Sequence, residues 1–140
     1  MDEREFSALV EAEWEAMPPK WKAQVENVAL LVEDEPSDEL RKEEGLGEHE
    51  TLLGHYHGIP HTARGEMYGV GATVPDTITL YRLPILEEAE ELTDDHTGHF
   101  KKYVAQVVRD TLWHEVGHYM GFDEDHVRER EDEGTNRFES

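Results

Sequence analysis

The apolar positions of this chain change their period along its length, and each period predicts an element. Phe6, Leu9, Val10, Trp14 and Met17 recur at helical spacing with charges between them, which predicts a helix over Glu3 to Met17. Pro18-Pro19 ends it, because neither proline carries an N–H to donate to the preceding turn. A short helix is expected over Lys20 to Glu26, with Trp21 and Val25 on one face. Val28-Ala29-Leu30-Leu31-Val32 is an unbroken aliphatic run and reads as a buried strand. Leu52 to Ile59 predicts a short second strand, stopped by Gly58 and Pro60. A third strand is clearer: Ile78, Leu80 and Arg82 alternate with Thr77, Thr79 and Tyr81, and Pro84 closes it. The longest element comes late. It is a helix capped near Thr93 or Asp94, with Phe100, Val104, Val107, Val108, Leu112 and Val116 as its apolar stripe. Gly121 suits the left-handed residue that ends a helix. Asp123 to Glu133 reads as a short final helix, and residues 134–140 as a frayed tail.

The intervening stretches are polar and read mostly as loops. Residues 33–50 are acidic and poor in apolar side chains, which predicts an exposed acidic loop or a frayed helix. From Arg64 to Pro75 the glycines Gly65, Gly69 and Gly71 suggest a bent segment, without the spacing of a phosphate-binding loop. Residues 1–140 fit one domain with one core. The longest apolar run is five residues, Val28 to Val32, so no membrane span is expected. The acidic start Met1-Asp2-Glu3-Arg4-Glu5 has no apolar segment behind it, and a soluble cytoplasmic protein is the expectation. With no cysteine, disulfides, thiolate metal sites and cysteine nucleophiles are excluded. Thirteen basic residues face 34 acidic ones, giving a formal net charge of −21. Such a surface repels phosphate backbones, so neither nucleic acid nor an anionic membrane is an expected partner. The charge also suits a salt-rich cytoplasm, although a merely solvated acidic surface is the simpler explanation.

One constellation carries chemistry. His114-Glu115-Val116-Gly117-His118 reads H-E-x-x-H within the helical stripe. Two histidines four apart lie about 40° from each other around a helix and roughly 6 Å apart along it, so both imidazoles can face one metal ion. Glu115, one residue after the first histidine, can lean toward a metal-bound water instead of the metal. Two neutral nitrogen ligands with a carboxylate base beside the water are what a zinc hydrolase requires. A third protein ligand is expected as well. Three residues after Gly121 stands Glu124, the first candidate; His126 has suitable chemistry but falls two residues late, and Asp123 and Asp125 flank the place.

The run from Pro75-Asp76-Thr77-Ile78-Thr79-Leu80-Tyr81-Arg82 through the histidine motif to Gly121-Phe122-Asp123-Glu124 resembles the minimal zincin-like metallopeptidases of bacteria and archaea. Asn27 to Pro36 and Leu53-Gly54-His55-Tyr56-His57-Gly58 extend the resemblance over most of the chain. It implies an α+β fold with a minimal zincin-like core: a small mixed β-sheet packed on a long C-terminal motif helix, with N-terminal helices. It further implies His114 and His118 as zinc ligands and Glu115 as general base. Glu124 stands where the family pattern H-E-x-x-H-x-x-G-x-x-D has aspartate, a carboxylate one methylene longer. No methionine follows Met120, so the methionine turn of true metzincins is missing from this sequence.

The expected activity is hydrolysis of a peptide or protein substrate, with Glu115 moving the proton of a zinc-bound water. In zincins an extended substrate pairs with an edge strand beside the motif helix, and Thr77 to Arg82 or the glycine-rich segment before it is the candidate. Tyr81 and Arg82 either touch substrate or serve the fold. Two other readings compete: a zincin-like scaffold that binds metal or a partner without turnover, and a metal-dependent endoribonuclease, which the −21 charge disfavours. His55 and His57 share one face of a strand and could bind metal, or simply form hydrogen bonds at the surface.

Overall fold

The computed structural model describes residues 1–19, 28–47, 50–58, 76–93 and 99–120. The predicted helix at 20–26, the glycine-rich segment, Glu124 with its rivals Asp123, Asp125 and His126, and the frayed tail lie outside the described residues. Among the described residues, four helices and three strands follow in chain order: α1 (Glu3–Glu15), β1 (Val28–Glu33), α2 (Asp38–Glu43), β2 (Gly54–His57), β3 (Asp76–Tyr81), α3 (Arg82–Leu92) and α4 (Phe100–Tyr119). This is a small α+β fold around a mixed three-stranded sheet of order β1-β3-β2. β1 runs parallel to β3, and β2 antiparallel to it.

β3 is therefore the central strand, and its burial shows it. Asp76, Ile78, Thr79, Leu80 and Tyr81 are all buried, although the alternating pattern predicts one wet face. β1 shows the reverse. Its aliphatic run predicts a buried strand, yet among the described residues it lies at an edge, with Leu31 43% exposed and the rest only half-buried apart from exposed Glu33. Hydrophobic content reports what a strand can bury; position in the sheet decides what it does bury.

The core lies between the sheet and the helices. Ile78 and Leu80 meet Phe6 and Val10 of α1, Ile85 and Ala89 of α3, and Val104, Val108, Leu112, Val116 and Tyr119 of α4. α1 begins at Asp2, whose carboxylate accepts from the Glu5 N–H at 2.8 Å, and Glu13 near its other end pairs with Arg109 of α4 at 3.0 Å. The predicted stripe of α4 is borne out, with its start corrected to Phe100 after the cap residue His99. Thr93 instead caps the end of α3, where its hydroxyl donates to the Ala89 carbonyl at 2.7 Å.

α3 is the element that the pattern analysis misses. Arg82 is its first residue and not the last of a strand, and Pro84 sits in its first turn instead of closing β3. A proline there costs nothing, since first-turn N–H groups have no intrahelical acceptor. The usable signal was Ile85, Ala89 and Leu92 at helical spacing. Arg82 locks the junction: its Nε donates to Asp34 at 2.9 Å and its Nη1 to the Met1 carbonyl at 3.0 Å.

Inside the acidic stretch, α2 forms because Ser37 caps it, accepting from the Leu40 N–H at 3.1 Å. It ends on Gly45, whose φ of 65° is left-handed. The Gly45 N–H donates to the Lys42 carbonyl and the Leu46 N–H to the Arg41 carbonyl, a paired closure that fixes the last turn. None of the described helices is long and apolar enough to cross a membrane.

Candidate metal centre

α4 carries the site, and its stripe explains the site's aspect. Val116 and Tyr119 are fully buried, Glu115 is 5% exposed, and His114 and His118 flank them half-buried. The core thus grips one side of the last two turns and leaves both imidazoles at its margin. Their ring centres are 5.0 Å apart, at 68° between planes. With a metal–nitrogen distance of about 2.1 Å and the ring centre about 1.2 Å beyond, two imidazoles on a tetrahedral ion sit about 5.4 Å apart. The observed spacing lies within about 0.5 Å of that requirement. One nitrogen from each histidine and one Glu115 oxygen all lie within 4.8 Å of one another, a group that can hold a metal ion. The donor set, two imidazoles and a carboxylate, is borderline-soft and suits zinc.

Such a helix end has to be held in place, and β2 holds it. Gly54 lies against α4 so closely that a Cβ there would stand 2.8 Å from Thr111 Cγ2 and 3.1 Å from Leu80 Cδ2. Tyr56 packs edge-on against Tyr119, ring centres 6.0 Å apart, and donates its hydroxyl to the buried Asp76 carboxylate at 2.8 Å. This link from β3 through β2 to the residue after His118 is invisible to motif reading. Its only signal in the sequence is a tyrosine and an aspartate beside glycines and prolines.

A phenol and an imidazole feel the site electrically. The Tyr81 phenol is pushed up to about 12, first by burial and then by the negative charges of Glu33 and Glu115. It is 3% exposed and stays protonated at neutral pH. Burial lowers the His55 imidazole; Glu44 and Glu43 oppose the shift, while His57 and His118 add to it. Of the two residues with an open role, Arg82 serves the fold through Asp34. Tyr81 is packed near the charge of Glu115.

With this geometry in hand, comparison with known proteins is decisive. Residues 25–134 match the family described as zincin-like metallopeptidase. The chain belongs to that family. A conserved hypothetical protein from Thermo thermophilus has a similar structure, with a TM-score of 0.50 and 25% sequence identity. The similarity covers 85% of this chain and 94% of that one. No curated protein matches. The zincin-like assignment agrees with the mixed sheet, the long C-terminal helix and the His114-Glu115-x-x-His118 cluster.

Proposed function

We propose that this zincin-like protein is a zinc-dependent hydrolase of peptide bonds, acting on a peptide or protein substrate. The observation that carries the reading is the pair His114 and His118, set at the spacing of a tetrahedral ion with Glu115 beside them. His114 and His118 would hold the zinc, and Glu124 is proposed as the third ligand. A zinc ion bound there would supply Lewis acidity, lowering the pKa of water toward neutrality and polarising a carbonyl. Glu115 takes the proton from the attacking water and passes it to the leaving amine. The packed wall of Val116 and Tyr119 keeps that helix turn from shifting as the proton moves.

Thr77 to Arg82 cannot offer an edge to an extended substrate. β1 and β2 occupy both sides of β3, and Arg82 has left the strand for α3. Among the described residues, β2 is the strand that both packs on α4 and has a single partner, so substrate is proposed to run along it. The −21 charge weighs against RNA as substrate.

The test is metal analysis together with a peptide-library digest of the purified chain and its Glu115→Gln variant. The variant is expected to retain zinc and to lose turnover by a factor on the order of 10²–10⁴. Undiminished turnover would remove Glu115 from the role of base. Zinc with no cleavage by either protein would leave a metal-binding scaffold, and cleavage of RNA alone would leave a nuclease.

A further inference from the structure

Outside the motif, two imidazoles lie side by side on β2, and a carboxylate stands beside the first of them. His55 and His57 are two apart on one strand, so their side chains leave the same face. Their ring centres are 6.4 Å apart, with planes tilted by 31°. Glu44 reaches this face from the end of α2, its Oε1 3.8 Å from His55 Nδ1. That gap accommodates an ion at about 2.1 Å from each atom. Glu44 is the cap residue of α2, and the paired closure through Gly45 and Leu46 holds its backbone. The carboxylate is thus delivered by a fixed turn.

From this geometry we infer a second, weaker metal site, formed by His55, His57 and Glu44 and taking a divalent transition ion of the zinc, nickel or copper class. The ligand types select for it: imidazole favours such ions over calcium or magnesium, which prefer oxygen. Its weakness also follows from the geometry. An ion midway between ring centres 6.4 Å apart would see the two nitrogens nearly in line, so one ring must swing in by roughly 1 Å for a tetrahedral angle. His57 is exposed and free to make that movement, whereas half-buried His55 is the fixed member. The site lies close enough to the motif for His118 to act electrostatically on His55, so an ion here adds positive charge beside the motif.

A zinc titration of the metal-free full chain in molar potassium chloride tests the inference, the salt suppressing diffuse binding to the acidic surface. Wild type is expected to bind in two steps. His55→Ala and His57→Ala should each weaken the second step by at least about tenfold, the least that losing even an outer partner of a metal costs. Both should leave the first step unchanged. His114→Ala should do the opposite. His57 is exposed, so its variant tests the site without disturbing the core. A single binding step in wild type, or a second step unmoved by His57→Ala, would overturn the site.

Discussion

The two histidine pairs of this protein differ in the element that carries them, and the difference explains what each can do. His114 and His118 sit four apart on a 20-residue helix gripped by the core, with rings 5.0 Å apart. His55 and His57 sit two apart on a four-residue strand, with rings 6.4 Å apart. The helix therefore presents its rings close to the spacing one ion needs, on an element that the core holds in place. The strand presents them too far apart, and one of the two is exposed. A catalytic site needs the first kind of support, because a misplaced ligand misplaces the reacting atoms. An exchangeable site tolerates the second.

The sharpest way to break this comparison is to remove one member of each pair. His118→Ala should weaken the tight zinc step by at least about a hundredfold and abolish any hydrolysis. His57→Ala should leave tight zinc binding as it is, measured by competition with a chromogenic chelator. Equal effects from the two variants would show that the pairs are not separate. A second variant attacks what the pairs share, the contact of β2 with α4. Gly54→Val places methyl groups where Thr111 and Leu80 already stand, and should cost about 1–3 kcal/mol in urea unfolding. Zinc affinity of the motif should fall with it if β2 helps to hold the helix end.

The smallest effect expected is on pH. Burial holds His55 below 6.5 in the folded protein, so on acidification the unfolded chain takes up a proton there first. Its contribution to stability is present above about 6.5 and is lost as pH falls from 6.5 toward the folded value. In metal-free protein, His55→Asn should flatten that part of the stability profile. An unchanged slope would mean that Glu44 and Glu43 offset the burial entirely.

What could be read from the chain was whatever depends on near neighbours. The stripe from Phe100 to Val116 and the i, i+4 placement of His114 and His118 follow from 3.6 residues per turn, and the structure keeps both. The zincin resemblance, with the α+β core it implies, rests on short runs of residues, and the family match and the mixed sheet bear both out. The misplaced features depend on what packs where. Val28 to Val32 looked more buried than Asp76 to Tyr81, and the order β1-β3-β2 reversed them. Pro84 looked like an end and became part of a beginning, because α3 starts where β3 stops.

By itself, then, the sequence determined the motif helix and the donors it carries, since covalent spacing and helical pitch place them without help from distant residues. Tertiary structure alone decided which strand is central and that Tyr56 would brace Tyr119 from across the sheet. It also decided that Glu44 would come beside His55. Those outcomes depend on pairing and burial between segments far apart in the chain, and such energies leave no period to read.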